Sequence, residues 1–296
     1  MSLVAPPPAV TAVATTDRTT GPAEASARGV RVARPRRYLM CPPEHFDVTY
    51  AINPWMRLDV PVDPALALRQ WASVRTAYER LGHRVDILDP VAGLPDLVFA
   101  ANAGLVVDGK VLVSRFRHPE RTGEESVDLG WFRSHGFDAV QARWWNEGEG
   151  DLLVVGDVIL AGSGFRSDSR AHAEVAAFAG RPVLSLELVD PRWYHLDTAL
   201  AVLDDETIAY HPGAFSPASR ELLRERFGDA VIASEDDALA FGLNACSDGR
   251  NVVLAAGARR LADQLAERGF DPVLVDTSEL QKAGGSVKCT TLEIRP

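Results

Sequence analysis

From Asn102 onward the apolar positions of the chain fall in a recurring order. A polar residue opens a short apolar run, a tight turn leads to a second run, and a helical stretch and a third short strand follow. The first copy is the clearest: Asn102-Ala-Gly-Leu-Val-Val-Asp108-Gly109-Lys-Val-Leu-Val sets Asp-Gly between two β-rich runs. That dipeptide suits a two-residue hairpin because both turn residues take positive φ. Asp151, Asp197, Asn244 and Cys289 open the later copies, and the five openings stand 45 to 49 residues apart. Helical spacing is plainest over residues 257–269, where Leu261 and Leu265 share one face and glycine ends the segment. Helices are also predicted over 65–81 and 217–227, and short strands over 84–88 and 272–275.

The last copy stops at Pro296 with a single strand, and Arg37–Cys41 is an apolar run without a copy of its own. Joining the two predicts five ββαβ units that close on themselves, with residues 37–296 as one α/β domain of pseudo-fivefold symmetry. In such a ring the five opening residues would surround one axis. Polar residues repeated at an axial position point to a site rather than to a core.

Residues 1–36 break the pattern. They carry Pro6, Pro7, Pro8, Pro22 and Pro35 and no aromatic residue, too little apolar material to offset the entropy of ordering. They read as a disordered tail, with Arg28, Arg31, Arg34, Arg36 and Arg37 as a solvated basic linker. The first basic residue is Arg18 and prolines interrupt 3–13, unlike a secretory leader. No later stretch approaches the roughly 18 to 20 uncharged apolar residues that span a bilayer. A cytoplasmic protein is expected.

The 296 residues include 31 Lys and Arg against 41 Asp and Glu, a net charge of −10. Such a chain repels phosphate backbones and anionic headgroups, so nucleic acid and membrane are not expected as partners, and a small-molecule substrate is. Cys41, Cys246 and Cys289 lack the close spacings of zinc or redox sites. Gly162-Ser-Gly164 has no third glycine in register, and no Gly-Lys-Ser/Thr follows a glycine run, so no phosphate loop is predicted.

The openings Asn102, Asp151, Asp197 and Cys289, with His195 two residues before Asp197 and with Glu147 and Glu149 just ahead of Asp151, suit a cysteine nucleophile acting on a planar cation. A thiol of ordinary pKa, about 8.5, is only a few per cent ionised at neutral pH and needs a base or a cation beside it. The segments Met40-Cys-Pro-Pro-Glu-His-Phe-Asp-Val48, Ile52-Asn-Pro-Trp-Met56, Glu147-Gly-Glu-Gly-Asp151, His195-Leu-Asp197 and Gly284-Gly-Ser-Val-Lys-Cys289 resemble those of the dimethylargininase/amidinotransferase superfamily. The resemblance runs from about residue 37 to the end. It implies a five-bladed α/β propeller, the pentein fold, and guanidine chemistry that requires no cofactor and no metal. It makes Cys289 the nucleophile, His195 the general acid and base, and Glu149 the residue that orients the imidazole. Arg121 and Arg166 would hold a substrate carboxylate. Asp197, Asn53 and Asn102 would hold the guanidinium, with Asp151 as a further candidate. The family pattern is Glu-Gly-Gly-Asp, whereas here Gly148 separates Glu147 from Glu149, so the orienting role is open to either carboxylate. Cys41 and Cys246 are expected to be buried structural thiols.

The resemblance also orders the substrates. Dimethylargininases carry lysine where this chain has Asp197, and arginine-cleaving relatives carry His-x-Asp. Asn102 stands where arginine deiminases carry a second aspartate, and with the Asn53 motif it is closer to the arginine dihydrolase branch. Hydrolysis of L-arginine or an N-methylated arginine to ornithine or citrulline-type products is the first expectation, dimethylargininase the second and amidino transfer the third. A metal hydrolase fits less well, because the position two before His195 is Trp193, which binds no metal. A non-catalytic binding protein of the same fold would have no reason to keep the thiol, the imidazole and the carboxylate together.

Overall fold

The Asp108-Gly109 hairpin forms with both turn residues at positive φ, 51° and 73°, and each copy of the repeat builds a three-stranded sheet of its own. The computed structural model describes residues 30–296. In chain order the strands are β1 (Arg37–Met40), β2 (Arg84–Ile87), β3 (Gly104–Val107), β4 (Lys110–Val113), β5 (Asp138–Gln141), β6 (Leu152–Val155), β7 (Val158–Ser163) and β8 (Val183–Glu187). They continue with β9 (Leu200–Val202), β10 (Ile208–Tyr210), β11 (Val231–Ile232), β12 (Cys246–Ser247), β13 (Asn251–Ala255), β14 (Asp271–Val275) and β15 (Leu292–Glu293). The sheets are β15-β1-β2, β3-β4-β5, β6-β7-β8, β9-β10-β11 and β12-β13-β14.

Every sheet has the same internal logic: its first two strands pair antiparallel and its third runs parallel to the second. A parallel pair needs a crossover, and the helices Pro64–Arg80, Glu124–Ser134, Arg170–Ala179, Pro217–Arg226 and Arg259–Glu267 provide the five. The N-terminal strand completes the last unit, since Tyr38 pairs with Glu293 and Leu39 with Leu292.

The helices form where side-chain spacing and capping agree. Pro64–Arg80 starts with proline after Asp63, whose carboxylate accepts from the Leu66 N–H, and it buries Ala67, Trp71, Val74 and Tyr78 at helical intervals. Arg259–Glu267 buries Leu261, Ala262 and Leu265. The strands carry continuous aliphatic runs because both faces are covered: Leu105, Val106, Val111, Ile159, Leu160, Val252 and Leu254 are all fully buried. Apolar contact links neighbouring sheets, with Leu105 and Leu112 in one cluster with Leu152 and Ile159, while β6 packs on β9, β9 on β12 and β15 on β3. Among the described residues no helix is long and apolar enough to cross a membrane.

One expected boundary moves. Residues 1–29 of the expected tail lie outside the described residues, but Arg31–Pro296 is one compact unit, so residues 31–36 belong with the domain. Arg31 lies 3.4 Å over the Phe270 ring and donates to the Arg268 carbonyl and to Asp204. Arg34 ion-pairs with Asp205 and its N–H donates to the Asp248 carbonyl. Arg36 ion-pairs with Glu293, and its N–H donates to His83 Nδ1. These residues hold no apolar core, so hydrophobic pattern does not reveal them; charge pairs and a cation–π contact order them instead. A chain that starts at Arg37 is expected to be less stable than one that starts at Arg31 by about 1 to 3 kcal/mol, read as a lower midpoint in thermal unfolding. Equal midpoints would show that these contacts contribute nothing.

Candidate active site

The opening residues of the five copies lie one to three residues before their first strands, and Asn102, Asp151, Asp197, Asn244 and Cys289 are each no more than 2% exposed. Cys289 sits in the turn before β15. Its Sγ is 3.2 Å from Asp197 Oδ2, to which the thiol donates, and it accepts from Asn244 Nδ2 at 3.1 Å. Glycine makes this turn possible. Gly284 has φ of 88°, where a Cβ would meet the Asn53 amide and the Tyr194 hydroxyl at 2.9 to 3.0 Å, and a Cβ on Gly285 would strike the Phe99 ring at 2.3 Å.

His195 precedes the short helix Leu196–Ala199 and is 1% exposed. Its Nε2 bonds Glu147 Oε2 at 2.9 Å, and its Nδ1 has no partner among the described residues. With Nε2–H donating to the carboxylate, Nδ1 is the lone-pair nitrogen. Room at Nδ1 depends on Gly150, where a Cβ would stand 3.1 Å away. Asp151 accepts from the Leu196 N–H at 3.0 Å and from the Ser167 hydroxyl at 2.6 Å, so one oxygen holds the backbone next to His195 and the other holds Ser167, which in turn accepts from the Glu147 N–H. The structure therefore places Asp151 beside the histidine, with a protein donor on each of its oxygens.

The two glutamates part company at Gly148, whose φ is 53°. Glu147 turns to His195 and to Arg166 Nη1, 2.7 Å away, with Arg121 Nη1 at 3.7 Å. Burial works against its charge, but Arg166, His195 and Arg121 outweigh burial and hold the carboxyl well below its usual range. Glu149 turns elsewhere. It accepts from Lys288 Nζ at 2.5 Å and the Glu293 N–H at 3.0 Å, and it also bonds Arg295. The expectation that Glu149 orients the imidazole is thus corrected: the carboxylate on His195 is Glu147, and Glu149 clamps the segment that carries Cys289.

Asp197 is fully buried, and burial pushes its carboxyl up to about 6. Among the described residues its Oδ1 has no partner, nor does Glu147 Oε1. Burial and the Asp197 carboxylate together push the Cys289 thiol well up. The other expected substrate residues are internally bonded. Asn102 donates to the Glu147 carbonyl at 3.1 Å and accepts from Arg121 at 2.8 Å. Asn53 donates to the Ala283 carbonyl at 3.0 Å and accepts from the Trp55 N–H at 2.9 Å. Arg121 grips both oxygens of Glu124, and Arg166, besides Glu147, donates to the Ile52 carbonyl and lies over the Tyr194 ring. Both arginines are ion-paired with buried carboxylates. Cys41 and Cys246 are buried free thiols, pushed up by burial, Cys246 to about 11. Sequence reasoning passed over Asn244, although it opens a copy of the repeat in the same phase as Cys289.

No family model matches the chain. The comparison with known proteins is decisive all the same: it is 57% identical over 266 residues to the N(G),N(G)-dimethylarginine dimethylaminohydrolase of Mycobacterium tuberculosis, covering 90% of this chain and 88% of that one. The chain belongs to the dimethylargininase/amidinotransferase superfamily. Within that superfamily it is 38% identical to the bifunctional arginine dihydrolase/ornithine cyclodeaminase ArgZ of Synechocystis, across 87% of this chain but only 37% of ArgZ. The crystal structure of the N-terminal domain of ArgZ, a cysteine-to-serine mutant bound to substrate, matches with a TM-score of 0.85 at 37% identity, over 88% of this chain and 98% of that domain. Another structure of that domain, covalently bound to a reaction intermediate, matches with the same TM-score at 38% identity over 88% of this chain and 97% of the domain.

Two outcomes follow for this member of the superfamily. Because the folded state holds the Asp197 proton more tightly than an unfolded chain with an ordinary value of 3.8, this group's stabilising contribution is present below about pH 4 and is lost as pH rises through about 6. Asp197→Asn, which never ionises, is expected to exceed the parent in stability at about pH 8 by about 2 to 3 kcal/mol, a margin that shrinks as pH falls to about 4. Denaturant unfolding across that range checks it, and no margin at the alkaline end would contradict it. Glu149→Gln is expected to lose about 2 to 4 kcal/mol of stability, since Lys288 would keep its charge in a buried setting without its counter-charge and Arg295 would keep only Glu293. An unchanged unfolding midpoint would contradict the clamp.

Proposed function

We propose that Cys289, His195 and Glu147 act together on the guanidino group of free L-arginine, in a domain whose five sheets close as the pentein propeller. The chain is a cysteine-dependent hydrolase of guanidino C–N bonds. The observation that carries the assignment is the surplus of buried carboxylate around one thiol: Asp197 touches Cys289 Sγ, Glu147 touches His195, and each keeps one oxygen without a partner among the described residues. Unpaired buried acceptors of this kind call for a donor-rich cation.

A guanidinium supplies it. When it donates N–H bonds to Asp197, the thiol loses its acceptor, and His195 Nδ1, the free lone-pair nitrogen, takes the thiol proton. The thiolate forms an S–C bond to the guanidinium carbon, one C–N bond breaks, and the leaving amine takes the proton from His195. The product of this step is a thiouronium on Cys289. His195 then removes a proton from water, the hydroxide adds to the same carbon, the C–S bond breaks and the thiol recovers its proton. Glu147 holds the imidazole in the tautomer this sequence needs and stabilises the imidazolium that forms between steps. One round gives citrulline and ammonia, and hydrolysis of the ureido group gives ornithine with a second ammonia and carbon dioxide.

Arginine is favoured because an unmethylated guanidinium offers five N–H donors to the oxygens that lack them. Dimethylation removes two of these donors and adds bulk beside the buried Asp197 carboxylate. The high identity to a relative named for dimethylarginine supports the second reading, a dimethylargininase. The test is the ratio of kcat/KM for arginine over asymmetric dimethylarginine, with products identified by mass. A ratio above about 10 is expected, since a lost hydrogen bond to a buried charge costs about 1.5 to 3 kcal/mol. Cys289→Ser is expected to fold and to lose turnover, while Cys246→Ser keeps it. A ratio below one would give the site to dimethylarginine, and turnover in Cys289→Ser would end the cysteine mechanism.

A further inference from the structure

Asn244 is fully buried, and its side chain uses every group it has. Oδ1 accepts from the N–H of Cys289 at 3.0 Å and of Ser286 at 3.1 Å. Nδ2 donates to the Asp197 carbonyl at 3.0 Å and to Cys289 Sγ at 3.1 Å. This network fixes which end of the amide is which, since the reverse orientation would set NH2 against two N–H donors and oxygen against a carbonyl. The nucleophile's sulfur therefore lies between a neutral donor, Asn244, and an acceptor, Asp197 Oδ2 at 3.2 Å. The two neighbours favour opposite states. A carboxylate accepts S–H and repels S⁻, whereas an amide N–H only donates, and its bond strengthens as the sulfur gains charge.

We propose that Asn244 is a catalytic residue that stabilises the Cys289 thiolate through its Nδ2–H donor. The inference rests on the reading of Cys289 as the nucleophile. Without substrate the S–H bond points to Asp197 and the sulfur stays neutral. Once a guanidinium occupies the Asp197 oxygens, the acceptor is withdrawn and the Asn244 donor remains, so the thiolate keeps one fixed hydrogen bond in a buried site. Asn244 moves no proton; that stays with His195. The Ser286 N–H and Asn244 both pull the thiol downward against burial and Asp197, in agreement with this division of labour.

A second role is built into the same side chain, because Oδ1 staples the Cys289 turn. Asn244→Ala removes the donor to sulfur without adding a charge, while Asn244→Asp keeps an oxygen on the Cys289 and Ser286 N–H groups but also sets a carboxylate beside the sulfur. The measurement is the pH dependence of iodoacetamide alkylation at Cys289 in the substrate-free enzyme, with the labelled residue located by peptide mass. It is paired with kcat and KM for arginine and with circular dichroism for the fold. The midpoint is expected to rise by about one pH unit or more, and kcat at neutral pH to fall about 10- to 1000-fold, with KM changed far less. The neutral Asn244→Ala carries the decisive midpoint, and Asn244→Asp, in which the turn stays stapled, is expected to show a larger rise because its charge adds to the lost donor. An unmoved alkylation midpoint in a folded variant would overturn the proposal and leave Asn244 as a staple alone. Alkylation needs no turnover, so a failure of the nucleophile reading would show separately, as turnover retained in Cys289→Ser.

Discussion

The buried carboxylate of Glu147 decides the electrostatics of the site. It takes a hydrogen bond from His195 Nε2 and an ion pair from Arg166 through the same oxygen, with Arg121 close by. A charge without water survives only when its partners outweigh the cost of desolvation, so the position of Glu147 dictates theirs. Its backbone carbonyl also holds Asn102, whose own oxygen holds Arg121. One carboxylate thus fixes the tautomer of the histidine and the stance of two arginines. The second carboxylate, Asp197, has the reverse character. Burial raises it and one of its oxygens has no partner, which leaves it ready for a cation.

These two carboxylates come from different sheets, and the thiol and its amide neighbour come from two more. The fold performs the assembly by repetition. Each copy sets one of these residues one to three positions ahead of its first strand, so a local rule, repeated, gathers Asn102, Asp151, Asp197, Asn244 and Cys289 at equivalent positions. Division of labour follows from what each meets there. Asp151 commits both oxygens to Ser167 and the Leu196 N–H, while Asp197 commits one to a thiol. Equivalent position does not mean equivalent role.

Much of this was legible in the sequence. The Asp108-Gly109 turn, the spacing of the openings and the amphipathic helix ending at Gly269 pointed to the five sheets and the pairing of β1 with β15, because hairpin chemistry and apolar period are local properties. Cys289, His195 and Asp197 were legible from repeat phase and family motif. The choice between Glu147 and Glu149 was not, since it turns on the left-handed φ of Gly148, which sends adjacent acidic side chains to different partners. Asn244 stood in phase but offered no nucleophile, base or charge, and its value lies in hydrogen-bond directions that only packing sets. Residues 31–36 escaped notice because ion pairs and a cation over Phe270 order them, and neither leaves a periodic trace.

The central claim is that the guanidino carbon becomes bonded to Cys289. Rapid acid quench of the enzyme with arginine during turnover, followed by peptide mass analysis, tests it most directly. The account predicts that the peptide containing Cys289 gains the mass of arginine less ammonia, and that the peptides containing Cys41 and Cys246 do not. Turnover with no adduct on Cys289 at any quench time, or an adduct on another residue, would contradict it.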